Sequence, residues 1–407
     1  MTTHELKNEQ LCDKTHILAT QHFMQETDTD ARSKLYKLGI KTSYDANRMI
    51  FTATQGSKVQ LANIYTQECN GLILDTDNWR PLMVPPRSLR TNIITDISNV
   101  FLHQGLYHIY LASDGTCFNM YYYADSWVIS TAKGYEMNDI CWEDKTYQQL
   151  ITECLASIML TWESFTNGLN KNNCYSFGFK HKDFHRFHEG HDSAINKIWF
   201  IQLVNLDISD KLYLWASDVS PFEQIKAQEL CPIVNNIKDL YTVANAALSN
   251  YLTNKTVCYG FILRSINYEA TKSHSDLFIE SSLMRNIRHI WYDNKLVKAV
   301  SANTYNKLQY TLVHAYLNRD IYEMFTLLFG QFTPQLTEIS EKIQSIISEM
   351  VSTAPGTPMH PVAKLLLDKF TSEKKYAITT KSQEQRRRVF NEYVINVANI
   401  NIIMMLF

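Results

Sequence analysis

Glycine and proline are scarce, with 12 and 9 in 407 residues, and there is no low-complexity tract. This scarcity excludes a collagen-like chain. Disorder is excluded as well, because 45% hydrophobic and 12% aromatic residues supply ample material for a packed core. Long apolar runs are also missing. Nothing approaches the roughly 18 consecutive apolar residues of a spanning helix, and the stretch from Val394 to Phe407 is interrupted by Asn396, Asn399 and Asn401. The first ten residues, MTTHELKNEQ, are polar and lack the apolar core of a signal peptide. A soluble, cytoplasmic protein with no membrane partner is therefore expected. No Cys-x-x-Cys pair occurs among the eight scattered cysteines (Cys12, Cys69, Cys117, Cys141, Cys154, Cys174, Cys231 and Cys258). Their spacing excludes a zinc ribbon and fits reduced thiols. Charge of one sign is lacking too: 39 Lys and Arg against 41 Asp and Glu leave a net charge of −2. Near neutrality removes the simplest argument for non-specific nucleic-acid binding, while a local basic groove stays compatible with it.

The length exceeds the roughly 250 to 300 residues at which single cores stop growing, so more than one domain is expected. From about residue 48 to 300 the pattern is mostly that of strands, in short runs rich in Ile, Val, Tyr, Phe and Trp: MIFTAT, GLILDT, YHIYLA, CFNMYYY, SWVIST, IWFIQLVNL and YGFILRS. Ala124, Asp125 and Ser126 read as a hairpin turn between two of them. Helical spacing occupies Tyr147 to Thr161 and part of Phe222 to Asn254. Beyond residue 303 the pattern turns helical throughout. Leu308 to Phe329 is followed by Thr333-Pro334 as N-cap and first position of a helix to about Met350. The Pro-rich stretch from Ser352 to Pro361 breaks the chain, and Val362 to Phe370 and Gln383 to Met405 complete a helical tail. The expected fold is α+β, with antiparallel sheets around a cleft over 1–300 and an all-α C-terminal domain over 301–407.

One series of short motifs runs through the strand-rich part. Glu68-Cys69-Asn70-Gly71 leads to Arg80-Pro81 and Pro85-Pro86-Arg87-Ser88, then to a strand ending in Ala112-Ser113-Asp114-Gly115. A hairpin and Thr131-Ala132-Lys133-Gly134 come next, then Tyr175-Ser176-Phe177-Gly178-Phe179, the strand Lys197 to Leu206, Tyr259-Gly260-Phe261-Ile262, and Phe278-Ile279-Glu280-Ser281-Ser282. This order resembles the phage T4 RNA ligase 1 family of covalent nucleotidyltransferases. There E-C-R-G and a proline-arginine stretch precede K-x-D-G, a hairpin, S-K-G, F-E-F, E-G-Y-V and F-K-x-K-S. The resemblance covers roughly residues 48 to 290 in colinear order, and the family also appends a helical domain.

The same comparison implies what this chain has lost. In the family the motif lysine attacks the α-phosphate of ATP to form lysyl-AMP, which needs an amine; here the residue is Ala112. Carboxylates of F-E-F and E-G-Y-V serve ribose and metal; here they are Gly178 and Tyr259. The phosphate-clamp lysines of F-K-x-K-S correspond to Ile279 and Ser281, and the arginine of E-C-R-G to Asn70. The residues that make backbone turns, Gly71, Asp114, Gly115, Gly134 and Gly260, are kept. Coordinated loss of nucleophile, carboxylates and clamp points to a catalytically inactive member that keeps RNA or nucleotide binding or acts as a scaffold, with no cofactor or metal. The alternative is an active ATP- and magnesium-dependent enzyme whose nucleophile has moved to Lys133. Arg87, Asp114, Gly115, Lys133, Gly260 and Arg264 are the candidate binding residues, and an RNA or another protein is the candidate partner. Abundant Asn, Ile, Lys and Tyr resemble proteins of AT-rich large DNA viruses.

Three further features have a plainer reading beside the functional one. His181, His185, His188 and His191, with Asp183, Glu189 and Asp192, have spacings that suit a zinc site on a helix, but Gly190 favours a polar loop. Arg386, Arg387 and Arg388 could meet a phosphate backbone, with a solvated helix face as the default. Tyr121, Tyr122, Tyr123 and Trp127 could stack on bases, but strand alternation lets only Tyr121 and Tyr123 share a face, which favours packing. The apolar end, Ile402 to Phe407, is expected to dock on its own helical domain.

Overall fold

The computed structural model describes residues 18–26, 31–45, 47–53, 64–91, 107–142, 144–182, 196–206, 213–215, 220–231, 237–254, 256–265, 276–288, 290, 307–352, 358–374, 382–396 and 400–407. In chain order, β1 (Ile40–Tyr44), β2 (Arg48–Ala53), β3 (Asn70–Asp75) and β4 (Pro81–Met83) form a four-stranded antiparallel sheet. Next come β5 (Arg90–Thr91), β6 (Tyr107–Leu111), β7 (Thr116–Tyr123) and β8 (Ser126–Ser130), then the small hairpin of β9 (Cys141–Trp142) and β10 (Lys145–Thr146). They are followed by β11 (Asn173–Lys180), β12 (Lys197–Asn205), β13 (Tyr213–Trp215), β14 (Gly260–Ser265) and β15 (Leu277–Glu280). A five-stranded sheet has the order β13-β12-β11-β7-β8, and a four-stranded sheet the order β5-β15-β14-β6. Every pairing is antiparallel except that of β5 with β15. The fold is thus the mixed α+β of antiparallel sheets that the strand patterns predict.

Alternation along the strands decides which surface each sheet buries. Phe118, Phe177, Phe179, Ile198 and Phe200 lie on one face of the five-stranded sheet, packed with Leu150, Ile151, Leu155 and Phe165 from the helices Tyr147–Ala156 and Trp162–Asn167. Near one end of that sheet Tyr121, Val128, Cys174 and Val204 pack instead with Met49, Phe51, Leu72 and Leu74 of the first sheet. β11 is buried along its whole length because it carries a layer on each side. The third sheet packs Phe261, Leu263, Leu277 and Ile279 against Leu240 and Ala244 of the helix Ile237–Asn254.

The β7–β8 hairpin turn lies where it was predicted but is one residue shorter: Ala124 and Asp125 form it at φ of 48° and 60°, and Ser126 already opens β8. The helix expected over Tyr147 to Thr161 stops at Ala156. Met159 adopts φ of 60°, and Thr161 caps a second helix with a reciprocal Thr161–Ser164 capping box.

The chain divides into two compact units, Met1–Met284 and Arg285–Phe407; the boundary expected at 300/301 lies outside the described residues. The second unit consists of helices: Lys307–Leu317, Arg319–Leu328, Thr333–Ser352, Pro361–Lys374, Gln383–Asn396 and Ile400–Ile403. Leu336, Ile339, Ile343, Ile346, Ile347 and Met350 are buried along the longest of them at helical spacing, and Phe370 meets Phe390 and Tyr393 edge to face at 5.1 and 5.0 Å. Thr333 is not the expected N-cap. A 3₁₀ turn over Gly330–Phe332 runs into the helix, so Thr333 is already helical at φ −53° and donates its hydroxyl to the Gly330 carbonyl. Among the described residues no single helix is long and apolar enough to cross a membrane.

A buried cation ties the first two sheets together. Arg48 on β2, 7% exposed in its side chain, donates to the Asp45 carboxylate, to Glu136 at 2.8 Å and to the Tyr121 hydroxyl at 3.0 Å. Its guanidinium lies 4.3 and 5.0 Å from the ring centres of Tyr123 and Tyr135. Desolvation opposes ionisation of Asp45, but hydrogen bonds and charge from Arg48 outweigh it and hold the carboxyl below its ordinary 3.8. We predict that Arg48→Met costs about 2 kcal/mol, less than a fully buried pair because Glu136 is half exposed. Chemical denaturation reads this directly. Since the depressed Asp45 stabilises the fold only above its unfolded pKa, the difference from wild type should shrink as the pH falls below about 4.

Candidate functional site

The motif residues gather into two groups. In the first, the Glu68 carboxylate is buried and accepts hydrogen bonds from the backbone of Ala19 (3.0 Å) and Thr20 (2.8 Å) and from the Thr20 hydroxyl (2.9 Å). It thereby closes the start of the helix Ala19–Glu26. Burial pushes its pKa above the ordinary carboxylate value, against the pull of those bonds and of the Arg87 charge. Arg87, expected as a phosphate contact, thus has a carboxylate beside it. Gly71 sits at φ +99°, and a Cβ there would lie 2.7 Å from the Thr131 carbonyl oxygen and 2.9 Å from the Ala132 Cα. The Thr52 hydroxyl donates to the Ala132 carbonyl at 3.0 Å. Asn70-Gly71 and the Thr131–Gly134 loop are therefore brought together by backbone packing, with Lys133 exposed at the loop's tip.

The second group lies between the five-stranded sheet and the third sheet. Ala112 follows β6, and its N–H donates to the Gly260 carbonyl at 2.9 Å. Asp114 and Gly115 turn the chain into β7, where Cys117 pairs with Gly178 of β11. Gly260 pairs with Glu280 at φ +135°, where a Cβ would come within 2.2 Å of the Ile279 carbonyl oxygen. Ser281 donates its N–H to the Tyr259 carbonyl (3.2 Å), and its hydroxyl accepts from the Met284 N–H (3.0 Å) at the start of the helix Ser282–Arg288. Ile279 packs with Leu240 and Ala244 of the helix on the sheet's outer side. Alternation then puts Glu280 on the opposite face, so Ile279 does not line the face that Glu280 presents.

Two side chains that the motif reading missed dominate this second group. Lys180, the last residue of β11, is 5% exposed in its side chain; its ammonium lies 3.8 Å from the Asp114 carboxylate and donates to the Tyr259 hydroxyl at 3.4 Å. The Asp114 side chain is itself only 11% exposed. An amine therefore sits beside the retained Asp114 although the residue at 112 is alanine. Trp199 of β12 is the other. Its indole lies over Gly178 and Gly115, so close that a Cβ on Gly178 would fall 2.1 Å from the ring and one on Gly115 2.4 Å from it. No carboxylate can be built at position 178 with the indole there. Arg264 of β14 acts electrostatically on Cys117, which places a second positive charge near Gly178. Sequence spacing alone could have drawn attention to Lys180, whereas Trp199 is found only through the register of the ladder. Lys180 is two positions from Gly178 and Trp199 is its partner across the ladder, so all three share a strand face.

The remaining candidates have structural partners. His181 is fully buried and its Nε2 lies 2.9 Å from the Glu153 carboxylate, which Lys145 also engages at 2.9 Å; hydrogen bonding to Lys145, ahead of that to His181, holds Glu153 below its ordinary pKa despite some burial. His185, His188 and His191 lie outside the described residues, as do Asp183, Glu189 and Asp192, and no group of metal-ligating side chains occurs among those described. Tyr121 is buried on Arg48, while Tyr122 meets Trp127 edge to face at 5.5 Å. In the second unit Arg387 donates to the Ser348 hydroxyl at 2.7 Å and Arg388 pairs with Glu392 at 3.5 Å. Phe407 of the apolar end takes the Lys342 ammonium over its ring at 4.9 Å.

Comparison with known proteins finds relatives named as RNA ligases. The chain is 25% identical over 352 residues to an African swine fever virus protein named "Putative RNA-ligase" (Pretoriuskop isolate), covering 80% of this chain and 76% of the relative. A namesake from a Malawi isolate of the same virus is 26% identical over 353 residues, covering 81% and 76%. Among solved structures, an archaeal ATP-dependent RNA ligase overlaps 94% of this chain and 100% of its own at 10% identity, with a TM-score of 0.42. No family model matches the chain.

The seating of Trp199 makes a quantitative prediction. Gly178→Ala should cost about 2 kcal/mol by overpacking, and most of that cost should vanish in a Trp199→Ala background. A double-mutant cycle by chemical denaturation measures the coupling; simple additivity would mean that the indole can swing aside.

Proposed function

We propose that this chain is an RNA ligase-like protein that has lost lysine-nucleotide chemistry and keeps RNA binding. The observation that carries the reading is the refilled second group, with the Trp199 indole over Gly178 and the Lys180 ammonium against Asp114 and Tyr259. In the family that the chain resembles, positions 178 and 259 carry carboxylates for ribose and metal, and 112 carries the nucleophile. Here each of those roles lacks its side chain, and protein atoms fill the space beside them. The viral relatives support the RNA ligase-like assignment by their similarity across four-fifths of this chain. On this reading the protein needs neither ATP nor magnesium, and it acts in the cytoplasm on an RNA through Arg264 and other cations near the cleft. The alternative of an active enzyme rests on Lys133, which is exposed on a loop held against Gly71.

Incubation with ATP or GTP labelled at the α-phosphate, with magnesium or manganese, followed by denaturing electrophoresis, should leave the protein unlabelled. Ala112→Lys alone should remain unlabelled, because an amine without charge stabilisation forfeits several kcal/mol of barrier lowering. A labelled band in the wild type overturns the reading, and its loss in Lys133→Ala or Lys180→Ala would identify the nucleophile. A tRNA-like stem-loop titrated at several salt concentrations should bind in the micromolar range. Arg264→Ala should reduce the log–log salt slope by about one unit, and so should Arg87→Ala to the extent that Glu68 leaves its charge available. A millimolar dissociation constant would favour a protein scaffold instead.

A further inference from the structure

The tryptophan that fills the ribose position is seated unlike a core residue. Along β12, Ile198 and Phe200 are buried in the apolar layer under the helices, whereas Trp199 faces the other way and is only partly buried. It is not part of the apolar layer that Ile198 and Phe200 enter under the helices. Its seat is the bare backbone of Gly115 and Gly178, where no Cβ fits, so two glycines hold a large aromatic ring against the sheet. Its strand face carries cations beside the apolar Ile201. Lys197, exposed, lies two positions away on β12 and directly opposite Lys180, and Arg264 reaches the vicinity of Cys117 beside Gly178.

We infer that Trp199 is a base-stacking platform for single-stranded RNA, with Lys197 and Arg264 neutralising the phosphates on either side of the stacked nucleotide. The inference rests on the RNA-binding reading above and names where and how the RNA is held. An aromatic ring backed by rigid strands and flanked by cations is the arrangement that binds single strands with little sequence preference, since every base offers a π-face. Charge complementarity favours this occupant over an apolar peptide, because Lys197 and Arg264 flank the ring. One side of the indole lies on Gly115 and Gly178, so a stacked base must approach from the other.

The test uses the full chain and a fluorescein-labelled oligouridylate of about eight nucleotides, within the length range of single-strand sites. Trp199→Leu should weaken binding about tenfold with its salt slope unchanged, while Trp199→Phe stays within about threefold of wild type. Lys197→Ala should instead lower the salt slope by about 0.7. An oligomer of the same length with abasic sites should bind the wild type about tenfold more weakly than oligouridylate does, a comparison that uses only the wild-type chain. If the wild type binds oligouridylate but Trp199→Leu or the abasic oligomer binds equally well, the platform is wrong and RNA binding stands. Equal losses in the Leu and Phe variants would assign the effect to packing and overturn the platform too. If the wild type binds neither the oligomer nor the stem-loop, the RNA reading itself fails.

Discussion

The close approach of the Trp199 indole to the backbone of two neighbouring strands is the constraint from which the cleft's character follows. Side-chain-free positions at both Gly115 and Gly178 are required for the ring to lie where it does. Once it lies there, a carboxylate at 178 is sterically barred, and the adjoining volume is left to Lys180, whose ammonium is balanced by Asp114 and hydrogen-bonded to Tyr259. A buried charge without such partners would cost several kcal/mol. The seat of Trp199 and the Lys180–Asp114 ion pair are therefore parts of one packing arrangement.

The retained glycines acquire a reason from the same geometry. Gly71 and Gly260 have positive φ and nearby carbonyl oxygens that leave no space for a Cβ, so both are needed by the fold whether or not chemistry takes place. Glu68 likewise serves the start of an N-terminal helix, and Ser281 caps the helix that follows β15. These residues thus carry backbone work that is independent of any reaction.

Much of the architecture was legible because strand alternation and turn residues are local. β3, β7, β8, β12 and β14 fall where apolar runs placed them, and the turn between β7 and β8 lies within the Ala124-Asp125-Ser126 connection read from the sequence. Helix ends were less legible. Thr333 reads as an N-cap until a preceding 3₁₀ turn makes it helical, and Tyr147–Ala156 ends early because Met159 takes a left-handed conformation that no nearby glycine announced. The site was half legible. Vacant motif positions could be listed from the sequence, but what filled them could not, since Lys180 and Trp199 belong to no motif and meet Asp114, Gly115 and Tyr259 only through sheet register. Ile279 shows the converse: matched by motif order to a clamp lysine, it faces a helix once the register is known.

We propose that the cleft, filled by the Trp199 indole and the Lys180–Asp114 pair, takes up no nucleotide. Isothermal titration of ATP into the full-length chain with manganese measures this most directly. No saturable binding up to millimolar ATP is predicted for the wild type, and a saturable site with a micromolar dissociation constant would contradict the account.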